Sequence, residues 1–244
     1  MPFTFSHPAI ILPLTYLPKR WFSLTGLVIG SLMPDFEYFL RMNIKSVYSH
    51  TLEGIFWFDL PLGLLTAFIF HNLIRNHLFE NLPFILKSRF INYIDFDWNS
   101  HFKKNWLVVL FSILIGATSH IFWDSFTHDT GYFVKSFPQL KDSIKVLNYQ
   151  IPILKILQHS STFIGGLFIC ISIYKLPSFQ IQRKVTNIHY WIIFFTGFIL
   201  LSSLLNIFKI TALGTFIVSI ISVSILSLIL TSILLSLKSK ILNL

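Results

Sequence analysis

The chain has 244 residues, 54% of them hydrophobic, 17% aromatic and only 12% charged, with a mean hydropathy of +0.69. Globular domains carry roughly 25% charged residues, so a disordered chain, a collagen-like repeat and a soluble enzyme with an ordinary charged shell are excluded in favour of a multi-spanning membrane protein. The net charge of +9, from 19 Lys+Arg against 10 Asp+Glu, sits mostly between apolar segments. There it marks topology and anionic headgroup contacts; no basic stripe with interleaved aromatics suggests nucleic acid. The single cysteine, Cys170, excludes an internal disulfide and a cysteine-based zinc cluster.

The opening, from Met1 to His7, lacks a basic leader and a small-residue cleavage site, so insertion is expected to use the mature spans. A short apolar piece follows over 8–17, bounded or interrupted by Pro8, Pro13 and Pro18. A helix of that length reaches about 15 Å, half a bilayer. It reads as a half-crossing or interfacial helix that turns at Lys19-Arg20 and leaves His7 on the membrane face where Asp35 lies. Six segments then approach the roughly 20 apolar residues of a span. They cover 21–39 with a polar interruption at Pro34-Asp35, 55–74 containing Asp59, 106–126, 151–174, 190–208 and 211–237. Between the second and third, 75–105 reads as a loop with an interfacial helix, and the last two form a tight hairpin across Lys209-Ile210.

The expected fold is therefore all-α: a polytopic membrane protein of five to six transmembrane helices plus the N-terminal half-crossing or interfacial helix. It forms one membrane domain over 1–244, with metal-site helices in 1–174 and a C-terminal helical hairpin over 190–237. Twelve Lys and Arg fall on the side of Lys19, Arg20 and Arg75, and seven on the side of Arg41 and Lys135. The positive-inside rule assigns the first set to the cytoplasm.

Ionisable residues within membrane segments are costly and mark candidate sites. His120, Asp124 and His128 are spaced by four, which stacks them on one helix face. Imidazole and carboxylate are ligands for a divalent metal such as zinc, and Asp124 could instead orient a ligating histidine from behind. Asp35 ends the first span, His50 lies in the following loop, His159 opens the fourth span from the same side, and the half-helix delivers His7 there. The metal candidates are thus His7, Asp35, His50, His120, Asp124, His128 and His159. Glu37 and Glu53 flank them as general-base candidates, with His128 as a proton donor. Asp59 is either a partner behind a ligand or a headgroup-level carboxylate. His71, His77, His101 and His189 read as interfacial groups on the cytoplasmic side, and Thr130-Gly131 as a turn out of the third span. Ser219, Ser222, Ser224 and Ser227 suit helix packing through small residues.

The phrase Met1-Pro2-Phe3-Thr4-Phe5-Ser6-His7-Pro8-Ala9, the Leu32-Met33-Pro34-Asp35 turn and the block Ser119-His120, Trp123-Asp124, Thr127-His128 resemble a bacterial membrane family that carries a domain of unknown function. That resemblance spans essentially the whole chain. More distantly, over about 1–131, the order of motifs is similar to membrane-bound metal-dependent hydrolases, themselves akin to zinc-dependent phospholipase C. This likeness implies His7, Asp35, His50, His120 and Asp124 as metal-site positions. The chain departs from the pattern in its loop, where it has the single His50; His128 or His159 would supply the missing ligand.

These readings together lead to the expectation of a hydrolase in the bacterial cytoplasmic membrane. It would use zinc or another divalent metal, on the extracytoplasmic face, to cleave a phosphoester in a lipid or lipid-linked substrate. Zinc would polarise the phosphoryl oxygen and acidify water, and two metals about 3.5–4 Å apart would suit this chemistry. The alternatives are a non-catalytic membrane protein with a structural metal, and a metal-ion or proton transporter. The absence of ionisable residues from the middles of the last three segments speaks against transport.

Overall fold

The structure is a computed structural model that describes residues 3–18, 20–180 and 188–242, with backbone alone for 239–242. Lys19 of the expected turn, and Arg183 and Lys184 of the charge tally, lie outside the described residues. Among those described, four helices are long and apolar enough to cross a membrane: Leu52–Asn81, Trp98–Asp124, Ile153–Tyr174 and Leu213–Lys238. This composition is compatible with a multi-pass membrane protein. Two of the expected spans fall short of that description. Ile188–Leu204 is a shorter apolar helix, and Leu24–Arg41 carries Asp35, Glu37 and Arg41 within its 18 residues. Nor is the fold purely helical, since Ser143–Val146 and Tyr149–Pro152 pair as an antiparallel hairpin.

The expected half-helix is also different. Its prolines split it into a 3-10 turn at Leu12–Tyr16 and a four-residue α-helix at Pro8–Ile11, preceded by a further 3-10 turn at Thr4–Ser6. Proline removes an N–H donor and clashes with the preceding turn, so a continuous helix does not form. Several other helices depart from their expected bounds, while Ile153–Tyr174 keeps close to them. Leu24–Arg41 continues through Pro34. Leu52–Asn81 contains two π-helical stretches, Ile55–Asp59 and Phe70–Ile74, and Trp98–Asp124 is kinked at Asn105.

The chain divides into two compact units that interleave in sequence. The first comprises Met1–Asp35, Val47–Leu64 and Asn105–Lys175. Its organising contact is between the helix starting at Leu24 and the helix ending at Asp124. Ser23 opens the former by accepting from the Gly26 N–H at 3.2 Å, and its own N–H donates to Ser112 Oγ at 2.8 Å. Gly26 and Gly30 are spaced as G-x-x-x-G, the arrangement that lets membrane helices approach backbone to backbone. A side chain on Gly30 would collide with the Ile113 carbonyl, and one on Gly116 with that of Leu27. The N-terminal turns are tied to the Ile153–Tyr174 helix. The Phe3 N–H donates to Thr162 Oγ1 at 2.9 Å, and Ser6 Oγ donates to the Thr162 carbonyl at 2.9 Å.

The second unit comprises Phe36–Ser46, Leu65–Lys104 and Leu176–Leu244. The serines of the last helix do more here than give small-residue packing. Ser222 Oγ donates to the Phe39 carbonyl at 2.7 Å and Ser227 Oγ to that of Phe194 at 2.6 Å. His71 is buried and not an exposed interfacial group: it stacks flat on Trp98, with ring centroids 4.5 Å apart. Arg75 beside it donates to the Phe96 and Ile94 carbonyls at 2.7 and 2.8 Å.

Replacing Gly30 by Val is expected to destabilise the protein by about 1–3 kcal/mol through overpacking. The measurement is the thermal unfolding of detergent-solubilised protein, with Gly166→Ala, where a side chain meets only Ser6 Oγ at 3.8 Å, as the tolerated control.

Candidate metal centre

The close approach of Gly30 to the later helix decides where His120 points. His120, one turn beyond Gly116, has Nδ1 at 2.7 Å from the Ser31 carbonyl. A carbonyl only accepts, so Nδ1 carries a proton and Nε2 is the nitrogen turned to the interior. His50 is oriented similarly. Ser49 Oγ donates its proton to the Pro34 carbonyl at 2.6 Å and therefore accepts from His50 Nδ1 at 3.1 Å. In both residues Nε2 is the nitrogen turned toward Asp35 and Asp124. That is the orientation metal-binding histidines adopt when the opposite nitrogen is held by a carbonyl or hydroxyl.

The two Nε2 atoms face two carboxylates. His50 Nε2 lies 3.5 Å from both Asp35 Oδ1 and Asp124 Oδ2. His120 Nε2 lies 3.5 Å from Asp35 Oδ1 and 3.4 Å from Asp124 Oδ2. All four atoms fall within 4.8 Å of one another. These separations are too long for charge-assisted hydrogen bonds, which run about 2.7–2.9 Å. These four of the group's six edges fall near the roughly 3.3–3.6 Å edges of a tetrahedron around a metal with bonds of about 2.0–2.2 Å. Asp35 and His120 are fully buried and Asp124 is 4% exposed. Asp35 Oδ1, both Asp124 oxygens and His120 Nε2 make no hydrogen bond. Two buried carboxylates so placed require a compensating cation, and two nitrogens with two oxygens form a donor set that suits zinc.

Three further residues adjoin this group. Thr4 Oγ1 donates to Asp35 Oδ2 at 2.5 Å, leaving Oδ1 for the cage. His7 is buried, with its ring stacked on that of His120 at 3.6 Å between centroids and 12° between planes. Its Nε2 is 3.5 Å from Asp124 Oδ1, the oxygen turned away from the other histidines. His128 Nδ1 donates to the Asp124 carbonyl at 3.0 Å and lies 3.6 Å from Asp124 Oδ2. Burial disfavours the His50 imidazolium, but the Asp124 and Asp35 carboxylates outweigh it and raise the pKa. For His128 burial prevails over the nearby Asp124 and lowers it.

The other candidates lie elsewhere. His159 is exposed on the Ile153–Tyr174 helix and outside the four-donor group. Glu37 belongs to the second unit, where its Oε1 accepts from Arg41 Nε and Nη2, each at 2.8 Å, and its Oε2 from Ser46 Oγ at 3.2 Å. Glu53 is exposed in the first helical turn after Thr51. Asp59 is fully buried in the π-helical stretch. Sequence reasoning passed over Thr4, Ser31 and Ser49, which orient the donors without supplying one. Thr4 lies within the N-terminal phrase and Ser49 directly before His50, but only the fold reveals what their oxygens touch.

Thr4→Val removes the bond that holds Asp35 while keeping side-chain volume. It is expected to weaken metal binding by about 10–100-fold, the usual cost of losing such a partner. Competition titration of metal-stripped protein with a zinc chelator measures this.

No curated protein and no solved structure matches the chain. A profile described as Domain of unknown function (DUF4184) matches residues 1–235, a stretch that contains every residue of the centre. The chain belongs to that family.

Proposed function

We propose that this protein is a membrane-embedded metal-dependent hydrolase, with zinc the best match to its donors, cleaving a phosphoester in a lipid or lipid-linked substrate. One observation carries the reading: the two-nitrogen, two-oxygen cage of His50, His120, Asp35 and Asp124, with four of its six edges at 3.4–3.5 Å. The likeness of the motif order to membrane-bound metal-dependent hydrolases contributes the reaction class, and the Lys and Arg tally favours the extracytoplasmic face.

A divalent ion held there would polarise a phosphoryl oxygen and acidify a water molecule. The chain's own residues do the rest. Ser31 and Ser49 keep the two histidines turned inward, and Thr4 holds Asp35. The His50 side chain is 20% exposed whereas those of Asp35 and His120 are 0%, so a headgroup approaches from the His50 side. His128, 28% exposed and beside Asp124, has its Nδ1–H held by the Asp124 carbonyl, so it gives a proton to the leaving oxygen only in its imidazolium form, which burial disfavours. His7 offers a fifth donor next to the second Asp124 oxygen. Glu37 has no part in this scheme because its carboxylate is engaged by Arg41, and exposed Glu53 has none either.

A second reading has its own support. Four protein donors complete a tetrahedron, as in closed structural sites, whereas catalytic zinc keeps a position open. The metal would then tie the helices together without reaction.

One comparison separates the two. Metal content by mass spectrometry and phospholipid turnover are measured on wild type and on His120→Ala, Asp124→Ala protein reconstituted in vesicles. The catalytic reading expects stoichiometric metal and turnover in wild type, with the variant losing both. Metal in wild type without turnover, and a melting temperature that falls when metal is stripped, would leave only the structural role.

A further inference from the structure

Beside the centre, the first unit carries an apolar groove of about 650 Å³. Its walls come from the N-terminal turns, the end of the Trp98–Asp124 helix and the Ile153–Tyr174 helix. No Asp, Glu, Lys, Arg or His lines it. The hydroxyls that do are spent within the chain: Ser160 Oγ donates to the Ile156 carbonyl at 2.7 Å, Ser161 Oγ to that of Gln158 at 3.0 Å and Thr127 Oγ1 to that of Asp124 at 3.4 Å. Among the described residues the groove therefore presents mainly hydrocarbon chemistry.

Its length and continuity identify the occupant. On the Ile153–Tyr174 helix the lining runs from Leu157 through Ser161 and Ile164 to Phe168, one face over three turns. At 1.5 Å per residue this stripe is about 16 Å long, half of a hydrocarbon core of about 30 Å and so the depth of one leaflet. That helix buries none of its most apolar window within the protein, leaving the groove open to the bilayer side. Beside Ser161 and Gly165, midway along this stripe, the groove also shares Ala9, Ile10 and Trp123 with a cavity of about 20 Å³ that His7 lines. Such a cavity has room for about one water. Buried His7, whose ring nitrogens make no hydrogen bond, stands there 3.5 Å from Asp124 Oδ1.

We infer that this groove is the binding site for one acyl chain of a membrane phospholipid, entering sideways from the leaflet with its headgroup directed to the metal centre. The placement of the headgroup rests on the metal-centre reading; the acyl site itself does not.

The test uses full-length protein in phosphatidylethanolamine–phosphatidylglycerol vesicles containing a phosphatidylglycerol with a diazirine near the end of one acyl chain. After irradiation, adducts are mapped by peptide mass spectrometry. Adducts are expected to concentrate several-fold on 122–127 and 157–168 over Ile192, Phe195 and Ile199, which are exposed on the Ile188–Leu204 helix. Ser160→Trp, at an exposed position on the groove wall, should cut groove adducts several-fold and leave those at 192–199 unchanged. Uniform labelling along the exposed apolar helices would overturn the inference, as would a Ser160→Trp variant of unchanged melting temperature whose labelling pattern matches wild type. Cross-links between copies through Ile164 or Phe168 would also overturn it, by giving the groove to a second chain. Labelling needs neither metal nor turnover. Groove-selective adducts in protein that hydrolyses neither phospholipid nor p-nitrophenyl phosphate would therefore end the hydrolase reading alone. Turnover with uniform labelling would end the groove alone.

Discussion

The structure of the centre depends on how closely two helices can approach. Gly30 and Gly116 bring backbone against backbone, and a side chain on either would strike the opposing carbonyl. That separation, set by the absence of two β-carbons, places the Ser31 carbonyl within 2.7 Å of His120 Nδ1. The orientation of the His120 ring, and so which nitrogen faces the interior, follows from it. In hydrocarbon no hydrophobic force draws helices together, and close packing with interhelical polar contacts takes its place. Here the same contact that joins the helices also turns the His120 ring toward Asp35 and Asp124.

Charge gives the second constraint. Asp35 and Asp124 are buried within the first unit, where desolvation makes an uncompensated carboxylate expensive. Among the described residues, their ion-pair partners are imidazoles, leaving the compensating charge to a proton or a metal ion. A guanidinium would have neutralised the pair permanently, as Arg41 does for Glu37. The choice of histidine keeps the site chemically open.

Much of the centre was legible because membrane topology reduces placement to a question of side. Counting crossings brought His7, Asp35, His50, His120 and Asp124 to one face, and the four-residue spacing from His120 to Asp124 put both on one helical stripe. The same counting says nothing about direction around a helix, which is why His159 shares the expected side yet faces outward. The pairing of Glu37 with Arg41 was visible as an i,i+4 spacing, and a general-base role ignored it. The stretch Ser143-Ile144-Lys145-Val146 alternates polar and apolar with period two, a strand signal lost among the stronger helical ones. The N-terminal piece was apolar enough for a helix, but its prolines left only short turns. Side-chain to carbonyl bonds such as those from Ser49 and His120 connect residues through space and leave no trace in hydropathy.

The attachment of the N-terminal turns has a consequence for the order of assembly. Phe3 and Ser6 are anchored on Thr162, and Thr4 and His7 reach Asp35 and Asp124 from that anchorage. These turns are thus held by a helix made some 159 residues later, the separation of Phe3 from Thr162. Closing so long a loop is entropically slow relative to local pairing. Asp35, His50, His120 and Asp124 are all synthesised before Thr162, so the four-donor cage can form first. The N-terminal turns would then join last, as a late-fitted cover over the centre.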